Sequence, residues 1–161
     1  MKPAGRYKAN RRLQSGLSLL EVLIAVAVLS IGLLGVAHLQ ATGLLSNQRA
    51  MQRSQATLLA YDVADRMRAN PTAISSYLSS NKKASEARAQ STCKTTSGCS
   101  TALMAENDLY EWNSALTAAL PSAVGTVTTS GSTYTVSITW DDDASGTVTS
   151  DDPTFNVTFQ P

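Results

Sequence analysis

The sequence predicts an α+β chain: one long N-terminal helix packed on a small antiparallel sheet, with one further amphipathic helix. Three observations carry this. No proline falls between Leu17 and Asn70, and helical patterning runs through the whole stretch. A second helical pattern is closed by Pro121. The C-terminal 40 residues then change to period-two alternation of hydroxyl and large apolar side chains.

Residues 1–16 read as a leader. Lys2, Arg6, Lys8, Arg11 and Arg12 supply five cations and no acid, so the overall charge of +1 hides a net −4 after Gly16. A basic patch elsewhere raises nucleic acid as a partner. Directly before an apolar run, the positive-inside rule explains it instead: the N-terminus stays cytoplasmic, the remainder is exported, and no nucleic acid is expected. A secretory signal peptide shares the basic start and would use Ala25-Val26-Ala27 as its small-residue cleavage site. Two features count against it, since the apolar run continues well past Ala27 and an acid sits near its beginning. Composition alone leaves an uncleaved single-pass anchor open.

The next segment, 17–45, has 29 residues and a single formal charge, Glu21. About 20 apolar residues span a hydrocarbon core as a helix, so the run is long enough to meet membrane lipid. An acid inside such a span costs a few kcal/mol and marks a functional site that needs a cationic partner. The first helical turns of the chain supply none. From Ser46 to Asn70 polar residues gather on one side, while Met51, Leu58, Leu59, Val63 and Met67 keep an apolar stripe, so residues 46–70 should lie in water with one face packed. Asn70-Pro71 ends the helix, because proline pushes the residue before it out of helical geometry. The element is ~54 residues, or roughly 80 Å, which exceeds what a small domain needs and points to a scaffold or filament. Gly32, Gly35 and Gly43 interrupt the apolar half, either as local softening or as simple tolerance in lipid.

Residues 71–161 form the expected exported globular domain. The stretch 71–100 is polar and mostly loop, anchored by Ile74, Tyr77 and Leu78. Cys93 and Cys99 fall in the exported part, where a disulfide is permitted. Closing so short a loop is worth about 2 kcal/mol, a local clip. Metal or redox roles are disfavoured, because the spacing is not CxxC and the only histidine, His38, lies in the apolar helix. The second helix spans roughly 101–120, with Ala105, Leu109, Trp112, Leu116 and Leu120 on one face. Strands follow at 134–140 and 155–159, with 124–129 and 146–149 as weaker candidates.

No nucleophile elbow, phosphate loop or exported histidine is present, so an enzyme is not expected and no cofactor is implied. One acidic stretch has two readings. Asp141, Asp143, Ser145, Gly146 and Asp152 occupy positions 1, 3, 5, 6 and 12 of a calcium-loop-like spacing. The flanks look like strands and the last acid is not glutamate, which favours a solvated acidic tip that blunts a sheet edge.

Gly16-Leu17-Ser18-Leu19-Leu20-Glu21 before a long apolar helix resembles the class III signal of type IV pilins and pseudopilins. Further blocks are Tyr61-Asp62-x-Ala64-Asp65-Arg66-Met67-Arg68-x-Asn70-Pro71, Asp108-Leu109-x-x-Trp112, Leu120-Pro121, and Tyr134-Thr135-Val136 leading into Thr139-Trp140-Asp141-Asp142. They resemble the PilV family of minor pilins, the type IV pilus modification proteins, nearly end to end. The resemblance implies a pilin-like fold and cleavage between Gly16 and Leu17 by prepilin peptidase, which also N-methylates Leu17. It implies that Glu21 meets the N-terminal amine of a neighbouring subunit during assembly. It further implies other minor pilins, the major pilin and a tip adhesin as partners, and passage from the inner membrane to the pilus. Many pilins carry a proline partway along the apolar half. This chain has none there, so any softening rests on the three glycines. A minor pseudopilin of type II secretion would share residues 16–45, and an anchored periplasmic binding module is a third reading.

Overall fold

The computed structural model of the chain describes Gly16 and residues 18–161; the rest of the leader and Leu17 lie outside the described residues. Two compact units divide between Leu44 and Leu45. Helix α1, Leu19–Ala69, is unbroken over 51 residues. It passes through Gly32, Gly35 and Gly43 without a break, and an added Cβ at any of the three meets nothing within 4 Å. No packing within the chain therefore requires glycine at these positions.

The unit beginning at Leu45 holds the core. On α1 the buried residues are Gln52, Ala56, Ala60, Val63, Ala64 and Met67. This corrects the apolar stripe expected from the sequence. Val63 and Met67 are buried and Leu59 partly so, but Met51 and Leu58 are 66% and 62% exposed. The reason is a close approach: Trp112 Nε1 donates to the carbonyl of Leu59 at 2.9 Å. Ala56, Ala60 and Ala64 are buried in the same core cluster as Trp112, and small side chains leave room for such an approach.

Helix α2, Thr101–Ala119, starts at Ser100, whose Oγ accepts from the Leu103 amide at 3.3 Å, an N-cap. Its face of Ala105, Leu109, Trp112 and Leu116 is buried, with Leu120 just beyond the helix also buried. Between the helices the chain is less irregular than its composition suggests. Short 3₁₀ turns occupy Pro71–Tyr77, Ala84–Glu86 and Ser91–Lys94, and the first brings Tyr77 fully into the core.

The sheet is an antiparallel meander of β1 (Val124–Ser130), β2 (Thr133–Thr139) and β3 (Thr154–Phe159), in the order β1-β2-β3. Val127, Val136 and Val157 lie in register across the three strands and all are buried. Gly131, at φ +60°, opens the two-residue β1–β2 turn, a position that favours glycine. The expected strand at 146–149 does not form. The backbone amides of Gly146 and Thr149 are taken by the Asp141 and Asp152 carboxylates, so this stretch is part of the β2–β3 connection.

Gly125 records how tightly α2 lies on the sheet. A Cβ there would sit 2.5 Å from the Trp112 ring and 2.6 Å from Leu116 Cδ1. Overpacking of this kind costs roughly 1–3 kcal/mol. Gly125→Ala is accordingly expected to lower Tm by about 5–10 °C in a calorimetric scan. An unchanged Tm would show that the indole shifts without penalty.

A polar network joins the end of α1 to α2. Arg66 bonds Asp62 through Nε and both Asp108 and Glu111 through one terminal nitrogen, each at 3.0 Å. The other Asp108 oxygen accepts from the buried Tyr77 hydroxyl, and Asn70 Nδ2 donates to that hydroxyl and to the Thr101 carbonyl. Burial, then the bond to Asp108, raises the Tyr77 pKa. Hydrogen bonds from Arg66, then Lys94, hold the Glu111 carboxyl down to about 2.

A folded-state pKa below the unfolded value near 4.5 means that this contribution is complete above about pH 4.5 and vanishes as pH falls toward 2. After allowance for solvent screening it amounts to about 1–2 kcal/mol. Tm should therefore fall across this window, and Glu111→Gln should flatten part of the fall. Identical pH profiles for the two proteins would contradict the assignment.

Candidate functional site

The candidate assembly site begins at Gly16, which is exposed and outside any helix. Leu17, the residue expected to become the N-terminus, lies outside the described residues. The amides of Glu21 and Val22 both donate to the Ser18 carbonyl, at 3.0 and 3.2 Å, which winds the first turn of α1. Glu21 thus sits in that first turn, where an acid is favoured by the amide dipoles. Among the described residues it forms no ion pair. Glu21, Val22, Ala25, Val26 and Leu29 line a shallow groove along one side of the helix.

The surroundings of that acid are apolar and uncovered. Leu19, Ile31, Leu34, Leu39 and Leu44 are each 70% exposed or more. The most apolar 18-residue window of α1 has none of its residues buried within the chain, and α1 is long and apolar enough to cross a membrane. A soluble domain rarely exposes so continuous an apolar surface, so lipid or other protein must cover it.

Cys93 and Cys99 are bonded to each other, with 4.7 Å between their Cα atoms. Their loop lies on α2: Lys94 pairs with Glu111 at 3.0 Å and the Gln90 amide donates to Asn107 Oδ1 at 3.0 Å.

The acidic tip connects β2 and β3. Carboxylate oxygens of Asp141, Asp143 and Asp152 lie within 4.8 Å of one another. They are already used locally. Asp141 accepts from the amides of Ser145 and Gly146, Asp143 from that of Ser145, and Asp152 from those of Asp142 and Thr149. The bonds from Thr149 and then Asp142 hold the Asp152 carboxyl below its usual value. Ser145 Oγ, a ligand position in the calcium-loop spacing, donates instead to the Thr147 carbonyl at 3.0 Å. Millimolar calcium is expected to leave Tm unchanged. A rise of several degrees would make the cluster a calcium site.

Sequence reasoning missed the Arg66–Asp108–Glu111–Tyr77 network, although its residues fall in blocks already noted. The available signal was the Asp62/Arg66 pair at i,i+4 spacing, with Asp108 and Glu111 one turn apart on the second helix.

A long helix with an apolar first half, packed through its second half on a meander and one further helix, is a pilin fold. Residues 38–110 match the family model described as type IV pilin Tt1218, and residues 11–37 match the prokaryotic N-terminal methylation motif. Among curated proteins and solved structures, no match to the chain was found. The two family matches meet end to end and, with the fold, support a type IV pilin. The type IV pilin family is structural rather than enzymatic. The methylation motif fits membrane anchoring, the action of prepilin peptidase, and contact with other pilus components.

Proposed function

We propose that the chain is a minor pilin of the PilV type, which takes part in initiating assembly of the type IV pilus and its tip complex. Before assembly it crosses the inner membrane once, with residues 1–16 cytoplasmic and 46–161 periplasmic. Prepilin peptidase cuts between Gly16 and Leu17 and methylates the new amine. Residues 17–45 then leave the lipid to pack with other subunits. The partners are other minor pilins, the major pilin and a tip adhesin, with the peptidase as a transient one.

The observation that carries the reading is Glu21: an acid in the first turn of an uncovered apolar helix, without an ion pair among the described residues. Cleavage five residues upstream creates a cation of the right kind. Each mature subunit would carry one amine and one acid at the same end. A neighbour's amine can then meet Glu21 and set the register of two helices in apolar surroundings.

Deleting the gene separates this reading from a type II secretion pseudopilin. The expected phenotype is loss of twitching with normal exoprotein secretion. Normal twitching with failed secretion would assign the chain to the other machine.

A further inference from the structure

Where α1 enters the folded unit, a cleft of about 460 Å³ is bounded by Arg49 and Arg53 on the helix and by Trp140, Asp142 and Pro153 on the sheet side. The two arginines are one helical turn apart. Arg49 pairs through Nε with Asp142 at 2.9 Å, while its side chain stays 63% exposed. Arg53 is exposed and forms no ion pair among the described residues. The nearby Asp141 and Asp152 carboxylates are bonded to amides of their own loop. Of the residues that line the cleft, two are cations and one is an acid, while the carboxylates of the adjacent tip keep their charge as they accept from these amides. Trp140 is buried, and its indole N–H has no hydrogen-bond partner among the described residues.

We propose that this cleft binds the phosphate of an anionic phospholipid headgroup, of the phosphatidylglycerol class. Position along the chain selects a lipid over a free anion. Arg49 is only four residues beyond Leu45, where the apolar run ends, so the intervening backbone holds it within about 14 Å of that point. With 17–45 in the bilayer, Arg49 and Arg53 follow directly on the span, where basic residues are attracted to anionic headgroups. The guanidinium groups supply donors for phosphate oxygens, and Ala50 and Pro153 offer apolar wall to the glycerol. Such a site would hold the folded unit against the membrane until assembly extracts the subunit. The inference rests on the single-pass topology proposed above.

The test uses the full chain in neutral detergent, titrated with short-chain phosphatidylglycerol or with phosphatidylcholine of the same chain length, and reads retained lipid by native mass spectrometry. Phosphatidylglycerol should be retained about tenfold better, and Arg49→Gln with Arg53→Gln should remove that preference. If the double variant melts early, Arg53→Gln alone, which breaks no ion pair, should lower retention about threefold. Equal retention of the two lipids, or full retention by the variants, would overturn the proposal. So would displacement by millimolar inorganic phosphate, which would indicate a free-anion site, or by an acidic peptide, which would indicate a protein partner. The assay needs neither cleavage nor a filament, so its failure leaves the pilin reading standing. Absence of cleavage at Leu17 removes that reading without altering the lipid result.

Discussion

Glu21→Val should leave membrane insertion and leader cleavage intact while incorporation into pili falls by about tenfold or more. Insertion persists because valine makes the apolar span more favourable, and the peptidase acts upstream of the change. Incorporation fails because the neighbouring amine loses its counter-charge. A carboxylate and an ammonium about 4 Å apart attract by roughly 4 kcal/mol at an effective dielectric near 20. An amine left alone among apolar side chains carries its full desolvation cost. Immunoblots of sheared pili against whole-cell levels measure the effect. Wild-type incorporation of this variant would remove the pairing argument.

The largest effect on the folded unit is expected from Asp108→Ala. Asp108 is nearly buried and joins Arg66 of α1 to the Tyr77 hydroxyl. Removing it leaves a fully buried hydroxyl without an acceptor and a guanidinium short of one partner. Breaking such a buried charged bond costs about 3 kcal/mol, so Tm should fall by about 10 °C. A double-mutant cycle isolates the bond. In a Tyr77→Phe background the same substitution should cost about 1–2 kcal/mol less, because the orphaned donor is already gone. Additive losses would show that the Tyr77–Asp108 contact contributes little.

These two sites were not equally legible in the sequence. Glu21 stands out unaided, since one acid among 29 residues of apolar character violates the pattern around it. The α2 face and strands β2 and β3 were legible for a related reason: periodicity reports which side of an element is buried. The burial of α1 was read less well. Hydropathy selects large apolar residues such as Met51 and Leu58, but half of the six buried positions on α1 are alanine. Close approach depends on smallness, which a hydrophobic stripe does not register. The 146–149 segment failed for a different reason. Its threonine and valine favour a strand, but Asp141 and Asp152 take the Gly146 and Thr149 amides within their own loop. The Arg66 network was hidden because its members are up to 45 residues apart, and only the fold brings them together.

If cleavage makes the partner of Glu21, the mature N-terminus must show it. Intact-mass and N-terminal peptide mass spectrometry of the protein recovered from pili tests it most directly. The expected chain begins at Leu17 and carries one methyl group on its amine. A chain that still retains residues 1–16, or one cut after Ala27, would contradict this origin for the partner.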